Sequence, residues 1–309
     1  MTRQRTHPVS VVHACLRDGR GGSPTAVLDD DPRFSDAERQ RIPALLGTSH
    51  AVFLGVAPGG TGADLRFFTA TGELPACGHG TVAALAVLTR RTGGGAFTLR
   101  TPVQSFAGRA TPKPDGDEVD ATFETGPVRL REATDPERHL TYQALRFTPD
   151  TRTPEVRVAA LGRERMLVPV SGRAALAALQ PDLDRLRRVC DRFGLLGVYV
   201  HTPPDSDGRA AARMFAPSIG VPEDVANANS TACLAAHLGE RGVPRIAVDM
   251  GDRLGRPATV TGASRTTASG TVVQVGGAAR VDRVVTLDPA QDAPHRGGRS
   301  GQAVCRVNP

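Results

Sequence analysis

Apolar residues fall along this chain mostly in short runs separated by Gly, Pro and charged residues. VSVVHACL at 9–16 and TAVLD at 25–29 are β-rich and predict two strands. Ser35-Asp36-Ala37-Glu38 is a capping-box pattern and predicts a helix through about Leu46. AVFLGV at 51–56 and the alternating DLRFFTA at 64–70 predict two more strands. The run Val82-Ala83-Ala84-Leu85-Ala86-Val87-Leu88 has no polar face, so it predicts a buried helix over about 80–91, stopped by the glycines at 93–95. FTLRT at 97–101 and VDATFET at 119–125 are strands on either side of the turn-rich TPKPDGDE. Further along, the pattern predicts a helix near 173–188 and a strand in LLGVYVHT at 195–202. TVVQVGGAARVDRVVTL at 271–287 reads as a hairpin pivoting on Gly276-Gly277, and residues 288–309 as a mobile tail.

The pattern also repeats. RFFTATGELPACGHGTVAALAVL begins at Arg66, and RMFAPSIGVPEDVANANSTACLAAHL begins at Arg213. Each holds Arg-x-Phe in a strand, a loop with an acidic residue and Pro, and a small-residue turn into an Ala/Leu helix. Aligning the helices pairs Cys77 with Asn227, Thr81 with Thr231 and Leu88 with Leu238, with three extra loop residues in the second copy. A duplicated strand–loop–helix unit predicts two similar halves with a cleft between them, residues 1–127 and 128–287.

With 309 residues, 39% hydrophobic and 23% charged, the composition is that of an ordinary soluble globular protein. The net charge of +6 raises nucleic acid as a partner, but Lys113 is the only lysine and the arginines are interleaved with acids, as in DLDRLRR at 182–188. With no Trp and two Tyr there are few stacking platforms, so the charge reads as a solvated surface that attracts a small anion. Five cysteines with no CxxC spacing suggest neither a disulfide framework nor a zinc site; Cys77 with His79 and His13 with Cys15 are close pairs, but each lacks a second ligand pair nearby. No stretch approaches a membrane span or secretory signal, so a cytoplasmic protein with no membrane partner is expected.

ELPACGHGT at 73–81 sets a thiol and an imidazole at the mouth of the buried helix. A helix N-terminus exposes unpaired backbone N–H groups and about half a positive charge. Small residues there (Gly78, Gly80, and Ala226 to Asn229 in the second copy) let a carboxylate approach the backbone. Either turn alone could be no more than a cap; two of them, with Cys77, His79, Glu223 and Asp224 beside them, point to a site for proton transfer.

Six segments then resemble, in order from about residue 9 to 287, landmarks of the PhzF-like isomerases of the diaminopimelate epimerase superfamily: GGSPTAVL, ELPACGHGT, GVYVHT, RMFAPSIGVPED, MGDRLGRPATV and VQVGGAARV. The resemblance implies an α+β fold of two pseudo-symmetric halves, each a mostly antiparallel sheet wrapped around a central helix. It implies a homodimer without metal or organic cofactor that relocates a proton on an unsaturated carboxylate. The family's Gly-His turn is present as Gly78-His79, and its aspartate falls on Asp224. The small residues that follow that aspartate in the family are replaced by Val225, Ala226, Asn227, Ala228 and Asn229. The family's proton-shuttling glutamate falls on His50, in SHAVF at 49–53. An imidazole in place of a carboxylate changes the shuttle from anion/neutral to neutral/cation and is intrinsically poised near pH 7.

The sequence therefore predicts a cofactor-independent isomerase or tautomerase with His50, His79, Asp224 and Cys77 as catalytic residues. Gly78, Gly80, Thr81, Asn227, Ala228, Asn229 and Ser230 are expected to bind the substrate. The resemblance further suggests antibiotic or other secondary metabolism, with a 4-substituted proline precursor as one substrate. Two alternatives stand beside it. The CGHG turn is similar to that of proline racemases, hydroxyproline epimerases and the related dehydratase, which implies a Cys77-dependent enzyme; a non-catalytic carboxylate-binding homologue is the other.

Overall fold

The computed structural model describes residues 6–57, 59–114, 116–149 and 155–287; the tail expected at 288–309 lies outside them. Contacts group the chain into two units. The first takes its described residues from 1–14, 23–121 and 278–309; the second comprises Cys15–Gly22 and Thr122–Gly277. Strands His7–Leu16 and Gly270–Leu287 each contribute to both units.

In the first unit, strand Ser23–Asp29 pairs parallel with His50–Val56, after the helix Asp36–Leu46. His50–Val56 pairs antiparallel with Gly62–Thr69, which pairs with Gly72–Leu74. The helix Gly78–Thr92 follows, then Gly95–Arg100, parallel to Gly62–Thr69, and Ser105–Pro112, antiparallel to it. The second unit repeats this pattern strand for strand. Arg163–Pro169 pairs parallel with Val198–His201, which pairs antiparallel with Arg209–Ala216, which pairs with Val221–Asp224. After the helix Ala228–Glu240 come Arg245–Met250, parallel to Arg209–Ala216, and Ala258–Thr267, antiparallel to Arg245–Met250. This is the α+β organisation expected from the sequence.

The duplication extends to side chains. Arg66 makes a two-bond ion pair with Glu73 and lies 5.0 Å from the Phe68 ring; Arg213 does the same with Glu223 and lies 4.8 Å from Phe215. Cys77 and Asn227 are the N-caps of the two central helices, and Thr81 and Thr231 each bond back to the N-cap carbonyl. The three extra residues of the second copy sit in a loop that forms the short 3-10 turn Pro217–Ile219.

Both central helices are apolar all round because both are enclosed. Every residue from Gly78 to Thr89 is buried, as is nearly every residue from Ala228 to Leu238. A helix with no polar face is stable in water only when surrounded by other elements, and here the strands of its own unit surround it.

Three sequence expectations are corrected. Residues 270–287 form one continuous strand, not a hairpin. A Cβ on Gly277 would lie 2.9 Å from the Thr259 carbonyl oxygen and 3.2 Å from the Cys15 Cα, so this glycine serves close strand approach and not a turn. The helix expected at 173–188 is two helices, Arg173–Ala178 and Leu183–Phe193, broken at Gln180-Pro181 because Pro lacks the amide donor and disfavours helix before it. The helix Asp135–Leu145 was not expected, although Thr134 and Glu137 form a complete capping box.

Two buried histidines of the second unit make its stability sensitive to acid. Burial pushes His201 and His237 down to about 4; the Thr202 carbonyl partly opposes this at His201, and Arg241 and Arg157 add to it at His237. Both are therefore neutral when folded, whereas an unfolded histidine takes up its proton near pH 6.5. Stability is fully present above that value and is lost as pH falls toward 4. Urea unfolding at pH 5 should show a loss of about 2 kcal/mol from His201 alone relative to pH 7.5. Equal unfolding midpoints at the two pH values would contradict this account.

Candidate active site

The first central helix carries the densest chemistry of its unit. Cys77, its N-cap, has an extended backbone and makes no side-chain capping bond, so its thiol is not spent on the helix. His79 lies in the first turn. His50 opens strand His50–Val56, which is held parallel to Ser23–Asp29 with His50 opposite Thr25. This pairing brings residues 29 positions apart into one buried group. His50 Nδ1 lies 2.8 Å from His79 Nε2, and Cys77 Sγ lies 3.4 Å from the same His79 nitrogen. The two rings meet edge to face with centroids 4.3 Å apart. All three residues are buried.

The electrostatics differ from the intrinsic expectation for an imidazole. Burial, with the charge of His79 as a smaller contribution, pushes His50 well below the ordinary histidine range. Burial thus favours the neutral imidazole, the form with a lone pair to accept a proton, while making His50 a weaker base than a solvent-exposed histidine. Its Nε2 has no hydrogen-bond partner among the described residues, while Nδ1 is engaged by His79. When Nδ1 carries the proton of the neutral ring, Nε2 presents a lone pair; a proton taken up at Nε2 can then be matched by transfer of the Nδ1 proton to His79, which carries the resulting positive charge. The pair can thus take up one proton at Nε2 and spread its charge through one short hydrogen bond.

The flanking glycines act differently from expectation. A Cβ on Gly80 would lie 3.0 Å from Cys77 Sγ and 3.0 Å from the Phe67 ring, so Gly80 is needed for packing beneath the turn rather than for ligand approach. Gly78 is buried at the helix start. Thr81 is spent on the Cys77 carbonyl. Replacing Gly80 by Ala should push Cys77 and Phe67 aside, costing about 1–3 kcal/mol by overpacking. It should also lower turnover about tenfold to a hundredfold through misplacement of the turn. Urea unfolding and a rate measurement on the same preparation check this, and unchanged turnover would count against a reacting group at this turn.

The turn of the second unit is built more tightly. Asn227 Oδ1 accepts the Ser230 N–H at 2.9 Å, and Asn227 Nδ2 donates to Asp224 Oδ2 at 2.9 Å. The Ser230 amide, expected to hold substrate, is thus capped by a side chain, and the Ser230 side chain is fully buried. Ala228 is also buried, while Asn229 is half-buried and engages no described side chain. Glu223, weighed in the sequence as a carboxylate for the site, is committed to Arg213. Asp224 remains half-buried, oriented by Asn227.

One residue beside this turn, in the strand Arg163–Pro169, was missed from the sequence. Arg165, 1% exposed, lies with Nη1 3.5 Å from Ser230 Oγ, and its Nε has no partner. Among the described residues no carboxylate pairs with it; its other bonds are to the carbonyls of Leu161 and Arg163. A guanidinium beside a helix N-terminus makes the local potential positive, suited to an anion. RERM at 163–166 gives no signal of this, because only the fold sets that arginine against the second helix.

A scan of family models matches residues 14–283 to PhzC-PhzF, described as phenazine biosynthesis-like protein. An uncharacterised isomerase of Escherichia coli (strain K12) is 30% identical over 222 residues, covering 71% of this chain and 74% of the relative. A trans-2,3-dihydro-3-hydroxyanthranilate isomerase of Pseudomonas aeruginosa is 28% identical over 256 residues, covering 81% of this chain and 88% of the relative. Among solved structures, a PhzF-family phenazine biosynthesis protein of Bacillus anthracis superposes with a TM-score of 0.78 at 17% identity, covering 92% of this chain and 99% of that one. A predicted epimerase from Pseudomonas aeruginosa gives 0.77 at 25% identity, covering 91% and 99%.

Proposed function

This chain belongs to the phenazine biosynthesis-like PhzC-PhzF family and is an isomerase; from that premise we propose that it moves a proton between two carbons of a small unsaturated carboxylate, with His50 as the shuttle. The observation that supports this most is the buried 2.8 Å contact between His50 Nδ1 and His79 Nε2, which leaves the other His50 nitrogen free to face a substrate.

The proton balance is simple. His50 Nε2 takes a proton from an activated carbon of the substrate, and the positive charge is shared with His79 through the Nδ1–Nε2 bond. The electron pair left behind delocalises over the conjugated system. The same Nε2 then returns a proton to a different carbon, and the imidazole pair is restored with no net change. His79 positions His50 and spreads its charge; Cys77, against His79, fixes the ring. In the second unit, Asp224 is held by Asn227, and Arg165 with the first turn of Ala228–Glu240 favours a carboxylate.

The P. aeruginosa relative is named for the isomerisation of a dihydro-hydroxyanthranilate, itself an unsaturated carboxylate, which supports that substrate class. A role in secondary metabolism, a 4-substituted proline precursor as substrate, independence of cofactors, a homodimeric state and a cytoplasmic location complete the proposal. Among the described residues no helix is long and apolar enough to cross a membrane. The test is a panel of small conjugated carboxylates that includes trans-2,3-dihydro-3-hydroxyanthranilate, followed by ultraviolet absorbance. At least one should lose or shift its diene band at a rate proportional to enzyme; a silent panel would contradict the reading.

The 3.4 Å contact of Cys77 with His79 keeps a thiol-dependent racemase or epimerase as a second reading. Against it, the position matching Cys77 in the second unit is Asn227, whose side chain is fully used in capping. Polarimetry with L-proline and hydroxyproline separates the two readings.

A further inference from the structure

The atoms that carry the relay are also a metal-ligand set. Of the eight histidines and five cysteines in the chain, His50, His79 and Cys77 each present one ligand atom within 4.8 Å of the others, all buried. Among the described residues this is the one such cluster of three or more His, Cys, Asp and Glu side chains. It contains no carboxylate. Its two nitrogens and one sulfur are the donors that zinc and neighbouring borderline-soft ions prefer, and they offer nothing to magnesium or calcium.

The geometry is close to what such an ion needs. Tetrahedral zinc, with bonds of about 2.0–2.1 Å to nitrogen and about 2.3 Å to sulfur, sets its ligands roughly 3.3 Å (N to N) and roughly 3.6 Å (N to S) apart. The observed separations are 2.8 Å for His50 Nδ1 to His79 Nε2 and 3.4 Å for Cys77 Sγ to His79 Nε2. Opening the imidazole pair by roughly half an ångström brings that edge to the tetrahedral spacing, and the His50–Cys77 edge, which lies within 4.8 Å, has to settle at roughly 3.6 Å by side-chain rotation. Cys77 makes no capping bond and has no disulfide partner, so its sulfur is available. Three protein ligands leave the fourth position open to water.

We propose that His50, His79 and Cys77 form a binding site for one zinc-class divalent ion, and that its occupancy shuts off the isomerase. Binding displaces the thiol proton of Cys77 to solvent and ties up His50 Nδ1 and His79 Nε2, the two atoms between which the relay passes its proton. Metal and proton therefore compete for the same lone pairs. The inhibitory half of the proposal rests on the proton-shuttle reading; the binding half rests on the ligand geometry alone.

The experiment uses the full chain, freed of metal with EDTA and titrated with Co²⁺ and Zn²⁺. One equivalent of Co²⁺ should produce a thiolate-to-cobalt charge-transfer band together with the visible bands of a tetrahedral site, and Zn²⁺ should abolish both. Cys77→Ser should lose the charge-transfer band, and Cys77→Ser and His50→Ala should each weaken Zn²⁺ at least a hundredfold in competition with a chromophoric chelator. Circular dichroism confirms that each variant is folded. One equivalent of Zn²⁺ should reduce turnover at least tenfold, EDTA should restore it, and Mg²⁺ or Ca²⁺ should have no effect. Absence of the cobalt band, or tight Zn²⁺ binding that survives both substitutions, would overturn the site. A metal-free enzyme that turns over and ignores Zn²⁺ would overturn the inhibition and leave the shuttle standing. A cobalt band in a chain that turns over no acid would sink the shuttle and leave the site.

Discussion

Replacing His50 by Ala should lower the turnover of any accepted acid by about a thousandfold to ten-thousandfold, the upper range for loss of a positioned general base. The fold should survive. His50 is the first residue of its strand, and its backbone pairing with Thr25 does not depend on the ring. Removing it leaves the contact of His79 with Cys77 in place, so the site is damaged in chemistry rather than in architecture. Because the ring acts as a base, the effect should fall on kcat more than on KM. His50→Glu is the informative companion, since a carboxylate at this position also accepts a proton and can bond to His79 Nε2. It should recover part of the lost rate where Ala and Gln do not. Steady-state kinetics of the three variants decide the matter, and a wild-type rate in His50→Ala would remove His50 from the reaction.

The largest effect on stability is expected at the first central helix. Leu85 is fully buried, and its methyl groups lie against Gly108 of the strand Ser105–Pro112, where an added Cβ would come within 3.0 Å of the leucine. Close packing of this kind leaves little room for collapse, so Leu85→Ala should cost about 3–4 kcal/mol. That corresponds to a fall in melting temperature of roughly 10 °C for a domain of this size. Thermal unfolding checks it. A change under about 1 kcal/mol would mean that the helix is not enclosed as described.

How much of this was legible in the sequence follows from what each feature depends on. The central helices could be read because Val82 to Leu88 lacks any polar face, and their relation because Arg66 and Arg213 recur at the same distance before a Phe. What made the repeat certain, the identical pairing order and the matching Arg–Glu ion pairs, required the sheets. The strand Gly270–Leu287 was misread because two adjacent glycines signal a turn locally, whereas Gly277 is dictated by the carbonyl of Thr259 and the backbone of Cys15, both remote in sequence. The site divides in the same way. His50 and His79 were found, but their hydrogen bond and the burial that keeps His50 neutral belong to the fold. Arg165 was invisible, and Ser230 was assigned to substrate although Asn227 had already taken its amide.

The claim that a proton passes through His50 is tested most directly by the deuterium content of the product formed in deuterated water. Wild-type enzyme should place deuterium at the carbon that receives the proton to the extent that the shuttled proton exchanges with solvent before its return, and His50→Ala should form no product, labelled or unlabelled, on that timescale. Labelled product from His50→Ala at the wild-type rate would contradict the account.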